Sequence, residues 1–170
     1  MSEIHSGIFI KNRLMISIKI PGQETIHAKH LVLDYNGTLA IDGMLIPGVK
    51  EKLNLLANQI SIHVITADTF GKAAESLQEI KCTCIVPKAE NMKEKKLQFI
   101  TELGAENTIA IGNGFNDALM LENATIGIAL IQKEGASLKT ILNADIICTD
   151  INDALELLLN PMRVTATLRN

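Results

Sequence analysis

Three clusters of carboxylate, amide and hydroxyl side chains stand out along the chain: Asp34-Tyr35-Asn36-Gly37-Thr38-Leu39, Thr66-Ala67-Asp68 and Gly112-Asn113-Gly114-Phe115-Asn116-Asp117. Each follows a short apolar or β-branched run. A carboxylate in such a place can attack an electrophile and carry the transferred group, or offer oxygen to a hard cation. A hydroxyl or backbone N–H beside it can bind an anionic oxygen. Taken singly, the same residue types also cap helices and build turns, and the run Lys93-Glu94-Lys95-Lys96 also reads as a solvated helix face.

The elements that must position these clusters follow from hydrophobic periodicity. Short runs at His30 to Asp34, Ile60 to Thr66, Thr83 to Val86, Thr108 to Ile111, Thr125 to Ala129 and Asp145 to Cys148 read as strands. Between the first two, Val49, Leu53, Leu56 and Ile60 recur at helical spacing after Pro47-Gly48. Further helices are expected over Thr69 to Ile80, Asn91 to Leu103, Asn116 to Asn123, Glu134 to Leu142 and Asn152 to Leu159. The β-α order repeats, which predicts an α/β, doubly wound and mostly parallel sheet. In such a sheet ligands bind at the carboxyl ends of the strands, where the three clusters fall.

Residues 1–29 break the rhythm. Leu14 to Ile20 and Glu24 to Ala28 flank Pro21-Gly22 and predict a hairpin ahead of the sheet. An isolated hairpin is marginal in water, so this one is expected to pair with a sheet edge or with another subunit, giving a homo-oligomer. One domain is expected over residues 1–170, with 1–29 as the hairpin extension, 30–159 as the core and 160–170 as a tail.

Composition narrows the function classes. A chain of 170 residues with 47% apolar and 21% charged residues is long enough for one real core and is not of the disordered type. A net charge of −3 and only five aromatic residues argue against nucleic acid as a partner. No apolar run approaches the ~18 residues of a membrane span, and the N-terminus lacks the order of a signal peptide, so a cytoplasmic chain with no membrane partner is expected. Cys82, Cys84 and Cys148 read as buried reduced thiols, and His5, His27, His30 and His63 show no ligand spacing.

The clusters in their order resemble the motifs of the haloacid dehalogenase-like superfamily of aspartate-nucleophile phosphotransferases. Asp34, Gly37 and Thr38 match D-x-D-G-T, or the D-K-T-G-T of P-type ATPases; Thr66-Ala67-Asp68 matches the ATPase T-G-D. Gly112 to Asp117 matches G-D-G-x-N-D except at Asn113, and ATIGIAL, residues 124–130, is similar to the stretch that follows it. The resemblance runs from His30 to Leu159 and is nearest to small soluble P-type ATPase-like proteins. It implies a Rossmann-like core. Only 31 residues lie between Asp34 and Thr66, too few for a cap domain, so a capless member with an open site is expected.

The resemblance also implies roles. Asp34 is the nucleophile, and Asp34, Asp117, Asn113 and the Asn36 backbone carbonyl would hold Mg2+. Thr66 and a lysine would bind the transferring phosphoryl group, with Gly37, Thr38, Ala67 and Asn116 lining the phosphate site. Lys93 fits the lysine role best, since Leu97 and Ile100 then fall at the usual apolar offsets; Lys95 and Lys96 remain open. Asp68 would stand nearby.

Two departures qualify this expectation. Where most phosphatases of the superfamily carry a second aspartate that moves the leaving-group proton, this chain has Asn36, and an amide cannot shuttle a proton. Asn113 replaces a charged metal ligand by a neutral one. The expected function is a slow magnesium-dependent hydrolase acting on a phosphorylated small molecule or a phosphoprotein through an aspartyl phosphate. The alternative is a catalytically degenerate phosphoryl-binding or regulatory module. A detached domain acting on ATP ranks last, because no nucleotide-binding insertion is visible.

Overall fold

The structure is a computed structural model that describes residues 14–67, 71–88 and 90–170. Asp68 and the start of the helix expected from Thr69 lie outside the described residues, as does His5. The chain opens with β1 (Ile16–Ile18) and β2 (Ile26–Ala28), then β3 (His30–Leu33), a small hairpin of β4 (Ala40–Ile41) and β5 (Met44–Leu45), and α1 (Val49–Leu56). It continues through β6 (Ser61–Ile65), α2 (Lys72–Ser76), β7 (Thr83–Ile85), α3 (Met92–Leu103), β8 (Thr108–Gly112), α4 (Ala118–Asn123) and β9 (Ile126–Leu130). It ends with α5 (Leu138–Leu142), β10 (Ile146–Cys148), α6 (Ile151–Leu159) and α7 (Pro161–Leu168).

Six strands form one parallel sheet in the order β10-β9-β8-β3-β6-β7. The apolar runs are buried on both faces, as a parallel sheet between two helix layers demands. Leu31 pairs with Ile62 on one side and Ile109 on the other, and Ile109 pairs with Ile126. That register lays Leu31, Leu33, Ile62, Ile109, Ile111, Ile126 and Ile128 on one face, against Val49, Leu53 and Leu56 of α1 and Ile151, Leu155 and Leu158 of α6. The alternate residues Val32, Ile65, Ala110 and Ala129 face Ile100 of α3 and Met120 and Leu121 of α4. The sheet is therefore the α/β, doubly wound core that the periodicity predicts.

The chain leaves β3 toward β6 and β7, then returns through α3 to place β8 on the other side of β3. That reversal makes the crevice between the ends of β3 and β8 the switch point of the sheet. No cap occupies the insertion points: among the described residues, β3 and β6 are joined by the β4–β5 hairpin and α1, and β6 and β7 by α2. No described helix is long and apolar enough to cross a membrane.

Three expectations need correction. The N-terminal hairpin forms, with Ser17 opposite His27, but it is its own two-stranded sheet and does not join the edge of the central one. Its inward residues Ile16, Ile18, Ile20 and Ala28 belong to the chain's main core. The residues 160–170 set apart as a tail carry α7, which starts on Pro161, buries Val164 and hydrogen-bonds the hairpin through Thr165 Oγ1 to the Lys19 carbonyl at 3.1 Å. The hairpin thus finds its cover within the same chain. The helix expected from Glu134 begins only at Leu138, because Gly135 adopts a positive φ of 73° in the preceding turn.

Candidate active site

Asp34 directly follows β3 and is anchored there by its N–H, which donates to the Ile111 carbonyl of β8 at 3.0 Å. Asp117 closes a single 3-10 turn, Phe115–Asp117, at the head of α4. Lys96 of α3 reaches between them, its Nζ donating to Asp34 Oδ1 and to Asp117 Oδ1 at 2.6 Å each. The lysine and Asp117 side chains are fully buried, while the Asp34 side chain keeps 11% exposure. Asp34 is therefore the member of the trio that a solvent-borne group can reach.

The loop after β8 is built around the Asp117 carboxylate. Oδ2 accepts the N–H groups of Asn113 at 3.0 Å and Gly114 at 2.9 Å, leaving Oδ1 for Lys96. A side chain at Gly112 would run into that carboxylate, so glycine is the residue that lets the aspartate fold back over its own loop. The turn after Asp34 has the same character. Gly37 has a φ of 77°, and a Cβ there would collide with the Asn113 amide, so neither the backbone nor the space admits another residue.

Asn113 ties the two loops together. Its Oδ1 accepts Thr38 Oγ1 at 3.3 Å, and its Nδ2 donates to the Gly135 carbonyl at 3.0 Å. Gln132, just past β9, adds a clamp: Nε2 donates to the Gly37 and Thr38 carbonyls at 3.0 Å, and Oε1 accepts the Ile151 N–H at 2.9 Å. Nothing in the spacing of the sequence marks Gln132. Its role depends on β9 and α6 both opening beside the β3 loop.

Burial and the neighbouring Asp117 push the Asp34 carboxyl up to about 7, against the pull of Lys96. Burial opposes charge on Lys96, but the two carboxylates outweigh it and raise its pKa, so the ammonium stays charged. Once Asp34 is ionised, two buried carboxylates share one cation and the site is net negative. Such a site gains from a further positive charge.

The other candidate residues lie at or just beyond the carboxyl ends of β3, β6 and β8. Thr66, buried at the end of β6, sits on the same edge of the sheet as Asp34 and donates its N–H to the Ile85 carbonyl at 3.0 Å. Ala67 and Asn116 are half-buried, and Asn36 is exposed in the turn closed by the Gly37 N–H to the Ala40 carbonyl at 2.7 Å. Lys93 is not at the carboxylates. Its Nζ lies 5.0 Å from the centroid of the Phe115 ring, and Lys95 Nζ donates to the Lys88 carbonyl at 2.6 Å. The offsets of Leu97 and Ile100 point to Lys93, but Leu97 is only half-buried. The buried face of α3 is Met92, Lys96 and Ile100, spaced i, i+4, i+8. A lysine on an apolar stripe is costly unless paired, and that signal was available in the sequence.

The donor set suits a hard divalent cation in kind: two carboxylates and the Asn113 amide supply oxygen. It is thin in charge, and among the described residues no group of three or more His, Cys, Asp or Glu side chains is placed to hold a metal ion. A cavity of about 480 Å³ lies beside the β4–β5 hairpin, lined by Ile41, Leu45, Pro47, Gln132 and Asp150. None of the trio lines it; the trio stands at the crevice between the ends of β3 and β8.

Comparison with known proteins agrees with this fold. The catalytic domain of the CPx-ATPase CopB-B is similar at 26% identity and a TM-score of 0.57, over 68% of this chain and 46% of that one. Two phosphatases share the fold. The 3-deoxy-D-manno-octulosonate 8-phosphate phosphatase of Moraxella catarrhalis has a TM-score of 0.63 at 19% identity, covering 82% of this chain and 90% of its own. A putative enzyme of the same name from Vibrio cholerae has 0.67 at 14%, covering 88% and 97%. An uncharacterized protein of Methanocaldococcus jannaschii is 55% identical over 82 residues, which are 46% of this chain and 88% of that relative. The sequence pattern of the haloacid dehalogenase-like hydrolases matches residues 9–125, and the chain belongs to that family.

Proposed function

We propose that this chain is a magnesium-dependent phosphohydrolase that works through an aspartyl phosphate on Asp34. The observation that carries the reading is the Lys96 ammonium held at 2.6 Å from both Asp34 and Asp117 at the switch point of the sheet. The free oxygen of Asp34 attacks phosphorus, an Asp34 O–P bond forms, and the bond to the leaving oxygen breaks. That oxygen takes its proton from solvent, since the Asn36 amide has none to give. Lys96 takes the role expected of Lys93 and offsets charge as the two anions meet, while Thr66, Thr38 and the N–H groups around Gly37 and Ala67 bind the phosphoryl oxygens. Bound through Asp34, Asp117, Asn113 and the Asn36 carbonyl, magnesium would lower the repulsion between carboxylate and phosphate. Water then attacks phosphorus, the Asp34 O–P bond breaks, the water gives up its proton to solvent, and phosphate leaves with the Asp34 carboxylate restored.

Support comes from the relatives as well as the site: the Moraxella catarrhalis phosphatase is described with magnesium, phosphate and the sugar acid KDO. The absence of a second aspartate at position 36, shared with P-type ATPases, together with the CopB-B likeness, favours the soluble P-type ATPase-like subgroup. The substrate is a phosphorylated small molecule or a phosphoprotein in the cytoplasm.

Asn113 favours a second reading. Both ends of its amide are engaged, by Thr38 and by Gly135, so it serves as a strut, and a phosphoryl-binding module without turnover would keep the same contacts. Incubation with magnesium, acetyl phosphate and a panel of phosphorylated metabolites separates the two. The enzyme releases phosphate and shows a covalent phosphate on Asp34 that Asp34→Asn abolishes. Neither signal from a folded, metal-loaded chain sinks the hydrolase and leaves the binding module.

A further inference from the structure

Beyond the buried trio, the mouth of the crevice carries two residues that no step above requires. Of the two described phenylalanines, Phe99 packs into the core while Phe115 is 60% exposed. Phe115 belongs to the same 3-10 turn as Asp117, and the Lys93 ammonium stands 5.0 Å from its ring centroid, within cation–π range.

Their height above the reacting atoms follows from the fold. A crossover helix runs antiparallel to the strands it joins, so the first turn of α3 lies at the carboxyl edge of the sheet. Lys93 precedes Lys96 by three residues, about 4.5 Å along the helix axis toward that edge. Exposure falls along the same path, from Phe115 at 60% through Asp34 at 8% to Lys96 at 0%. A phosphoryl group seated on Asp34 therefore has its leaving group directed outward, toward the edge of the sheet that carries this cation and ring.

We propose that Lys93 and Phe115 select the leaving group: the preferred substrate is a phosphomonoester with a flat, apolar or aromatic body that bears a second anionic group. The proposal rests on the phosphohydrolase reading. Lys93 draws the second anion, and the exposed part of the Phe115 ring packs against the body. The cation–π contact holds the lysine head over the ring, which leaves less side-chain freedom to be lost on binding.

The test uses the full chain with magnesium and three esters: ethyl phosphate, phenyl phosphate and 4-carboxyphenyl phosphate. Lys93→Ala is expected to lower the kcat/KM ratio of the carboxylated to the plain aryl ester about three- to fivefold, the range of an exposed ion pair. Phe115→Ala is expected to lower the aryl-to-ethyl ratio about threefold or more, with Phe115→Tyr restoring it. Binding of the matching phosphonates is measured in parallel. Ratios that do not move in either measurement overturn the proposal, as does a folded parent that binds none of the phosphonates. If the parent hydrolyses no ester yet its phosphonate binding discriminates in the predicted way, the hydrolase reading falls and the selecting rim stands.

Discussion

Asp34→Asn should stabilise the metal-free protein while abolishing its chemistry. The Asp34 carboxyl rises from 3.8 to about 7 because burial and Asp117 both disfavour its charge. At about 1.36 kcal/mol per pH unit, an ionised Asp34 costs the fold at most about 4 kcal/mol relative to the unfolded chain. The sign follows from linkage. Between pH 4 and 7 the folded state holds a proton that the unfolded state has released, so stability falls as pH rises through this window, and the full cost is present above pH 7. Asparagine has the same shape and no charge, and Lys96 keeps Asp117 as its ionic partner at 2.6 Å. That cost is already net of the Lys96 attraction, which pulls the Asp34 pKa down. The expected gain is up to about 4 kcal/mol at pH 8 and close to none at pH 4, or about 2–4 °C in Tm per kcal/mol for a chain of this size. Urea unfolding of parent and variant at both pH values, without divalent cations, measures it. Magnesium should then stabilise the parent more than the variant, by up to about 2.7 kcal/mol at a hundred times Kd. A variant less stable than the parent at pH 8, or a gain equal at both pH values, would refute the idea that Asp34 carries an unfavourable buried charge.

The remaining predictions concern neighbours of the site. Lys96→Met leaves two buried carboxylates without a cation and should cost about 3–5 kcal/mol, while Lys93→Met should change stability by no more than about 0.5 kcal/mol; equal losses in urea unfolding would contradict the assignment of Lys96. Asn36→Asp places a proton-moving carboxyl in the exposed turn after the nucleophile and should speed phosphate release at saturating magnesium, toward the 10²- to 10⁴-fold of general acid–base catalysis. The gain should vanish with Asp34→Asn, and lower turnover by a folded, metal-binding Asn36→Asp would count against the missing-acid view. His63 is lowered to about 4 by burial and by His30, whose Nδ1 lies 3.2 Å away. Its neutral form is the folded one, so stability in the Asp34→Asn background should decline as pH falls from 6.5 toward 4, and His63→Leu should flatten that slope; an unchanged slope would exclude His63 as its source.

The doubly wound sheet and the placing of Asp34, Thr66 and Asp117 at its edge were legible in the sequence because both rest on local patterns. Apolar runs such as HLVL and TIAIG, residues 30–33 and 108–112, leave no polar face for water, so they demand helices on both sides. The glycines at 37 and 112 mark turns where a side chain would strike Asn113 or Asp117. The identity of the site lysine was half-legible: Met92, Lys96 and Ile100 share a face, but only the packing of α3 against α4 and the turn that carries Asp117 decides which cation reaches both carboxylates. Gln132 and α7 were decided by tertiary structure alone. Gln132 acts because its two ends meet backbone groups 19 and 94 residues away, and α7 gains its partner only when the N-terminal hairpin folds back beside it. Periodicity reports what each segment does against water, whereas contacts between segments distant in the chain depend on how the whole sheet winds, and no local pattern encodes them.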